Sequence, residues 1–143
     1  MKIKKAVYDV TGIGSALLDF MVETDDSFIK KLKLNKGEMH LIDAERSREI
    51  LDLLQGMNIH VSPGGSCANA IAGLSMLGGR GALIGKVAED ENGKIYVDKT
   101  AEAGVSPFIY RGGGMTGHAI TFITPDLERT FATHLGSAIE LSS

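Results

Sequence analysis

The stretch running from Ser62 to Ala88, SPGGSCANAIAGLSMLGGRGALIGKVA, limits the possible folds more than any other part of the chain. It opens with a proline and two adjacent glycines and continues as a helical run of small and apolar residues, ANAIAGLSML. Gly78-Gly79 stop that run, and GALIGKVA follows with the continuous apolar character of a strand buried on both faces. A short strand, MNIHVS, leads into it. Strand, tight turn, helix and buried strand in this order predict an α/β core with a parallel sheet. Glycine is abundant at 18 residues and proline scarce at 3. The glycines sit at the ends of apolar runs, which favours tight turns and close backbone approach over a flexible linker.

The flanking segments extend the pattern. AVYDVTGIG at 6–14 reads as a strand ending in glycines, and ALLDFMVET as a second extended run that carries Asp19 among apolar neighbours. DDSFIKKLKL predicts a short helix with Asp25 or Asp26 near its cap. GEMHLID is strand-like. Asp43 is placed to cap AERSREILDLLQG, whose Ile50, Leu51 and Leu54 share one helical face and whose Gly56 stops it. DENGKIYVDKTAEAG predicts a helix ending at Gly104. VSPFIYRGGG reads as a strand, and residues 117–134 as a β-hairpin around the turn PDLE. The segments at 17–22, 38–42 and 106–134 fit poorly as parallel strands and are expected on a second, smaller sheet projecting from the core. Past His134 an α/β sheet normally continues, with Ser142 or Ser143 a natural helix cap, so a longer parent protein is expected.

Composition excludes several function classes. A net charge of −3 with no clustered Lys and Arg argues against a nucleic-acid binder, and Lys2, Lys4 and Lys5 read as a solvated N-terminus. No apolar run approaches the roughly 20 residues of a membrane span, and the start shows no signal-peptide pattern. Cys67 is the sole cysteine, which rules out an internal disulfide and fits a reducing cytoplasm. GALIGKV has three residues between Gly81 and Gly85 where a phosphate-binding P-loop needs four, and Val87 where it needs a hydroxyl. GIGSAL puts Leu17 at the third glycine of a dinucleotide fingerprint, and Asp19 follows too early for its ribose acid. The four histidines have no close spacing with each other or with Cys67, which disfavours zinc.

The Gly64-Gly65 corner lets backbone N–H groups approach a ligand. A helix starting near Ser66 adds unpaired N–H donors and a partial positive charge. Ser66 and Asn69 supply polar groups on its first turn, and the Asp19 carboxylate can accept two hydroxyl hydrogens. This set suits a neutral polyhydroxyl ligand such as a sugar. The same residues also fit a plain β-to-α turn with Ser66 as cap, Asp19 as a surface acid and Cys67 packed under the loop.

PGGSCANAIAGLSMLGGRGALIGKVAEDENG resembles the N-terminal motif of the PfkB family of carbohydrate kinases, the ribokinase-like group. Gly64, Gly65, Asn69, Gly78 or Gly79, Gly85, Val87, Asp90 and Gly93 stand in that motif's order and spacing. GIGSALLDF resembles the family's first strand, with Asp19 at the position of its sugar-hydroxyl ligand, and TGHAITFITPDLERTF resembles its lid hairpin. GGSCAN and THLGSA are closer to the adenosine-kinase-like branch than to ribokinase, which usually carries Lys where Ser66 stands. The resemblance implies a ribokinase-like α/β fold with a partial three-layer core and a projecting β-sheet lid, of which 1–143 is the N-terminal part. It implies ATP-dependent phosphoryl transfer, with Mg2+, to a hydroxymethyl group of an adenosine-, ribose- or fructose-like acceptor in the cytoplasm. Asp19, Gly64, Gly65, Ser66 and Asn69 would hold the acceptor. The catalytic base and ATP pocket would lie in a C-terminal half beyond this chain, leaving the segment alone inactive. Met39, Leu41 and Phe122 could touch substrate from the lid or form its core, and Arg129 could steer phosphates or be a solvated charge. Asn35 to Glu38 matches the family's Asn-x-x-Glu string far too early to be its magnesium motif. The competing expectation is a non-catalytic sugar-binding module, or a homodimer formed through the lid. Half a parallel sheet would leave apolar strand faces open to water.

Overall fold

The computed structural model describes residues 6–142. Lys2, Lys4, Lys5 and Ser143, read above as a solvated N-terminus and a helix cap, lie outside the described residues. Eight strands and four helices run in the order β1 (Val10–Ile13), β2 (Leu17–Glu23), α1 (Asp26–Lys31), β3 (Met39–Leu41), α2 (Ala44–Leu53), β4 (Ile59–Gly64), α3 (Ser66–Met76), β5 (Gly81–Ala88), α4 (Glu91–Glu102), β6 (Ser106–Gly112), β7 (His118–Ile123) and β8 (Arg129–His134). A 3₁₀ turn, Gly136–Glu140, follows β8. Three of the helices start at a capping aspartate. Asp25 accepts from the Phe28 N–H, Asp43 from Arg46 and Asp90 from Gly93, each satisfying an orphan donor of a first turn.

The strands form two sheets. One is parallel and three-stranded, in the order β1-β5-β6; the other has five strands, in the order β3-β8-β7-β2-β4. Helices α3 and α4 cover one face of the parallel sheet. Added Cβ atoms at Gly12 and Gly81 would meet Ile71 of α3, and one at Gly93 of α4 would lie 3.0 Å from Val87. Side-chain-free glycines therefore let helix and sheet approach closely. Among the described residues the opposite face carries the 3₁₀ turn and the Tyr8 ring against Phe108, with no covering helix, so the three-layer core is present here as two layers.

The expected second sheet of 17–22, 38–42 and 106–134 differs from the structure at two strands. β6 pairs with β5 in parallel and belongs to the core sheet, while β4 pairs antiparallel with β2 and belongs to the smaller one. The reason is topological. A short strand before a helix reads alike in either sheet, and β6 follows α4 as the parallel strand of a βαβ unit with β5. The smaller sheet is also mixed, because β2 pairs β7 in parallel and β3 pairs β8 in parallel. The hairpin β7–β8 is antiparallel, and its turn is closed by the Leu127 N–H donating to the Thr124 carbonyl at 2.8 Å.

Three chain segments pass between the sheets: 14–16, 65–80 through α3, and 113–117. A buried polar line braces them. His118 Nδ1 is 3.0 Å from the Thr116 carbonyl and so carries the proton, leaving Nε2 to accept from Ser47 Oγ at 2.6 Å. Thr116 donates its N–H (2.9 Å) and hydroxyl to Asp90 and accepts from the Ala88 N–H at 3.0 Å. Ser47, Thr116 and His118 are fully buried, so satisfying these groups matters to stability.

Candidate functional site

Strand register decides what shares a face with Asp19. Paired residues on neighbouring strands point to the same side, and successive residues alternate. Leu18, Phe20 and Val22 turn inward and are buried, together with Ile120, Phe122 and Ala132. Phe122 packs against Phe28 of α1 and lies in the core, so it is not a ligand contact. The opposite face holds Asp19, paired with Ser62 on β4 and Ala119 on β7; Ala119 pairs with Thr133 on β8, and Thr133 with Leu41 on β3. Met21, Thr121, Phe131 and Met39 form the next row. Met39 and Leu41 are 59% and 65% exposed, so of the three apolar residues weighed as substrate contacts these two remain on the open side.

Asp19 and the glycine corner meet directly. A Cβ at Gly64 would sit 2.5 Å from the Asp19 carboxyl carbon and both its oxygens. The carboxylate thus occupies the space a side chain would need, which is a physical reason for glycine there. Among the described residues no protein group donates a hydrogen bond to Asp19, and burial raises its pKa above the usual carboxylate range. A partly buried acid with no protein partner is set to accept from something else.

Gly65, not Ser66, is the N-cap of α3. Its φ of 95° is one that side chains rarely adopt, and a Cβ there would lie 2.6 Å from the Ser15 carbonyl oxygen. It contributes no side-chain cap, so the first N–H groups of α3 have no capping oxygen. The reading with Ser66 as cap therefore fails, and partly buried Asp19 is no surface acid. Cys67 does pack under the loop, its side chain filling the space above Gly12 and Gly14. Ser66 and Asn69 are exposed. Asn69 lines a groove of about 150 Å³ with Pro63, Ala72, Lys99 and Thr100, and Asp19 does not line that groove. The structure thus joins Asp19 to Gly64 but does not bring Asn69 into one cavity with them.

A cavity of about 660 Å³ was not foreseen. It opens where β3 and β8 end, against Asp90 and the 3₁₀ turn, and its lining includes Leu41, Arg48, Thr133, Leu135 and Ser137. Asp90 serves as a structural clamp there. Burial opposes its charge, but the donors from Thr116 and Gly93 outweigh that and hold its carboxyl below the usual range. Asn35 Nδ2 donates to Glu38 at 2.9 Å, so that pair is closed on itself. Among the described residues no three His, Cys, Asp or Glu side chains are grouped to hold a metal ion, and no helix is long and apolar enough to cross a membrane.

The model of the pfkB family carbohydrate kinases matches residues 36–143. Probable fructokinase-4 of Arabidopsis thaliana is 34% identical over 104 residues, which are 71% of this chain and 32% of that protein. The crystal structure of adenosine kinase from Sinorhizobium meliloti is 37% identical with a TM-score of 0.83, covering 96% of this chain and 42% of that one. A probable sugar kinase from Rhizobium etli CFN 42 gives 33% identity and a TM-score of 0.84, over 94% of this chain and 41% of that one. The chain thus spans 32% of the curated relative's length, well under half of each protein it resembles.

Proposed function

The chain belongs to the pfkB family of carbohydrate kinases, and from that premise we propose that it is the acceptor-binding and lid portion of a kinase that phosphorylates a hydroxymethyl group of a sugar or nucleoside. The Asp19 carboxylate accepts two hydroxyl hydrogens of the acceptor. The Gly64-Gly65 corner lets the acceptor approach the main chain, and the uncapped start of α3 supplies backbone N–H donors alongside, whereas Asn69 faces a separate groove. The five-stranded sheet lies over the acceptor as a lid that excludes water. Phosphoryl transfer depends mainly on such positioning and on charge neutralisation.

The observation that carries this reading is the Asp19 carboxylate seated against Gly64 with no donor of its own. The family implies ATP as phosphoryl donor and Mg2+ beside it. The described residues hold no acidic cluster for that ion, so no step is assigned to either on this chain. Fructokinase and adenosine kinase relatives leave sugar and nucleoside acceptors both in view. The test is an ATP-dependent phosphorylation assay of the full-length protein with adenosine, ribose and fructose. Turnover with at least one of them, lost with Asp19→Ala, is expected. No turnover with any sugar or nucleoside contradicts the reading.

A further inference from the structure

Asn-Gly is a turn dipeptide by preference, yet Asn92-Gly93 lies in the first turn of α4, which runs Glu91–Glu102. Packing demands the glycine. A Cβ at position 93 would collide with the Ala88 carbonyl oxygen and lie 3.0 Å from Thr116 Oγ1. The fold thus retains at this corner a dipeptide prone to lose ammonia, because a following glycine leaves its backbone nitrogen unshielded. Asn92 is only partly buried, so water and base reach its side chain.

We propose that Asn92 is a latent deamidation site, and that the Asp90 cap keeps it silent as long as α4 stays fastened to segment 113–117. In the reaction the Gly93 nitrogen gives its proton to solvent hydroxide and attacks Cγ of Asn92. The bond from Cγ to the side-chain nitrogen breaks and ammonia leaves, closing a five-membered succinimide. One water then opens the ring at either carbonyl and yields aspartate or isoaspartate, with no change of oxidation state. Two features block this in the folded protein. A helical ψ of about −42° turns the Gly93 nitrogen away from the Asn92 side chain. The Gly93 N–H also donates to Asp90 Oδ1 at 2.8 Å, so a carboxylate holds the proton that must leave. A negative charge on that nitrogen would face a second one.

The gate reaches beyond α4. Asp90 Oδ2 accepts the Thr116 N–H at 2.9 Å, Oδ1 accepts the Thr116 hydroxyl, and Thr116 is fully buried. Segment 113–117 carries the chain from β6 of the parallel sheet to β7 of the smaller one. Opening of that joint frees Asp90, then Gly93, and exposes Asn92 to reaction. Isoaspartate at position 92 adds a methylene to the main chain, which shifts Gly93 away from Asp90 and removes the cap for good. A transient loosening between two sheets is thereby converted into a covalent mark.

Incubation of the full-length protein at mildly alkaline pH tests this. Mass spectrometry of the peptide holding Asn92 reads the conversion of amide to acid and separates the aspartyl from the isoaspartyl form. Native protein is expected to react at least about tenfold more slowly than the same protein in urea. Asp90→Ala and Thr116→Val, kept under native conditions, are each expected to speed the reaction about fivefold or more. Ile29→Val costs comparable stability in α1, away from the joint, and is expected to leave the rate within about twofold. Equal rates in native and urea-treated protein overturn the block. An Asp90→Ala rate no higher than that of the parent protein or of Ile29→Val overturns the gate, and if Asp90→Ala does not fold, the same comparison with Thr116→Val decides.

Discussion

Asp19 is held at odds with its own stability. Burial raises its pKa, so its charged form is disfavoured in the folded protein relative to the unfolded chain. A raised carboxyl pKa means that the folded state binds the extra proton, so this group weakens stability as pH rises through its titration. Asp19→Asn is therefore expected to raise the Tm of the ligand-free protein at neutral pH, read by calorimetry. The same change is expected to weaken acceptor binding by about 10- to 100-fold, as befits one or two hydrogen bonds to a charged group. Stability and function would then move in opposite directions at one residue. Gly65 differs. Gly65→Ala forces a side chain into a φ of 95° and against the Ser15 carbonyl, and is expected to lower stability by about 1–3 kcal/mol in denaturant unfolding.

Among the elements, α4 and β7 are tied by the Asp90–Thr116–His118–Ser47 line. Asp90→Ala removes a cap and orphans the Thr116 donors, with an expected loss of about 2 kcal/mol, readable as faster amide exchange in the first turn of α4. Burial pushes the His118 pKa below its usual 6.5, and His134 nearby adds to this, although the Thr116 carbonyl favours the proton. The unfolded chain therefore takes up a proton first. This contribution is fully present above pH 6.5 and is lost as pH falls through 6.5 towards the lower native value, so stability should drop across that window and drop less in His118→Gln. The caps at Asp25 and Asp43 were legible because capping chemistry is local. So was the meeting of Asp19 with the glycine corner, through the motif. The sheet membership of β4 and β6 was not, since a six- or seven-residue apolar strand does not encode its partner.

Viewed as a whole, the molecule leaves one sheet half-covered. Ile13, Phe108 and Tyr110 project from the face of the parallel sheet opposite α3 and α4 and are 67%, 49% and 64% exposed. Parallel sheets are stable when both faces are covered, so this segment on its own is expected to self-associate. Light scattering should show the mass falling towards that of a monomer in a Phe108→Ser, Tyr110→Ser double variant, while circular dichroism stays unchanged. On the other side of the molecule, the Asp19 carboxylate is proposed to accept hydroxyl hydrogens of the acceptor. Carbon-13 NMR of labelled aspartate carboxyls, followed through a pH titration with and without saturating acceptor, tests it most directly. Hydroxyl groups donating to the charged form must lower the Asp19 pKa from its raised value, so a clear downward shift on binding is predicted. A binding acceptor that leaves the Asp19 titration where it was would contradict the account.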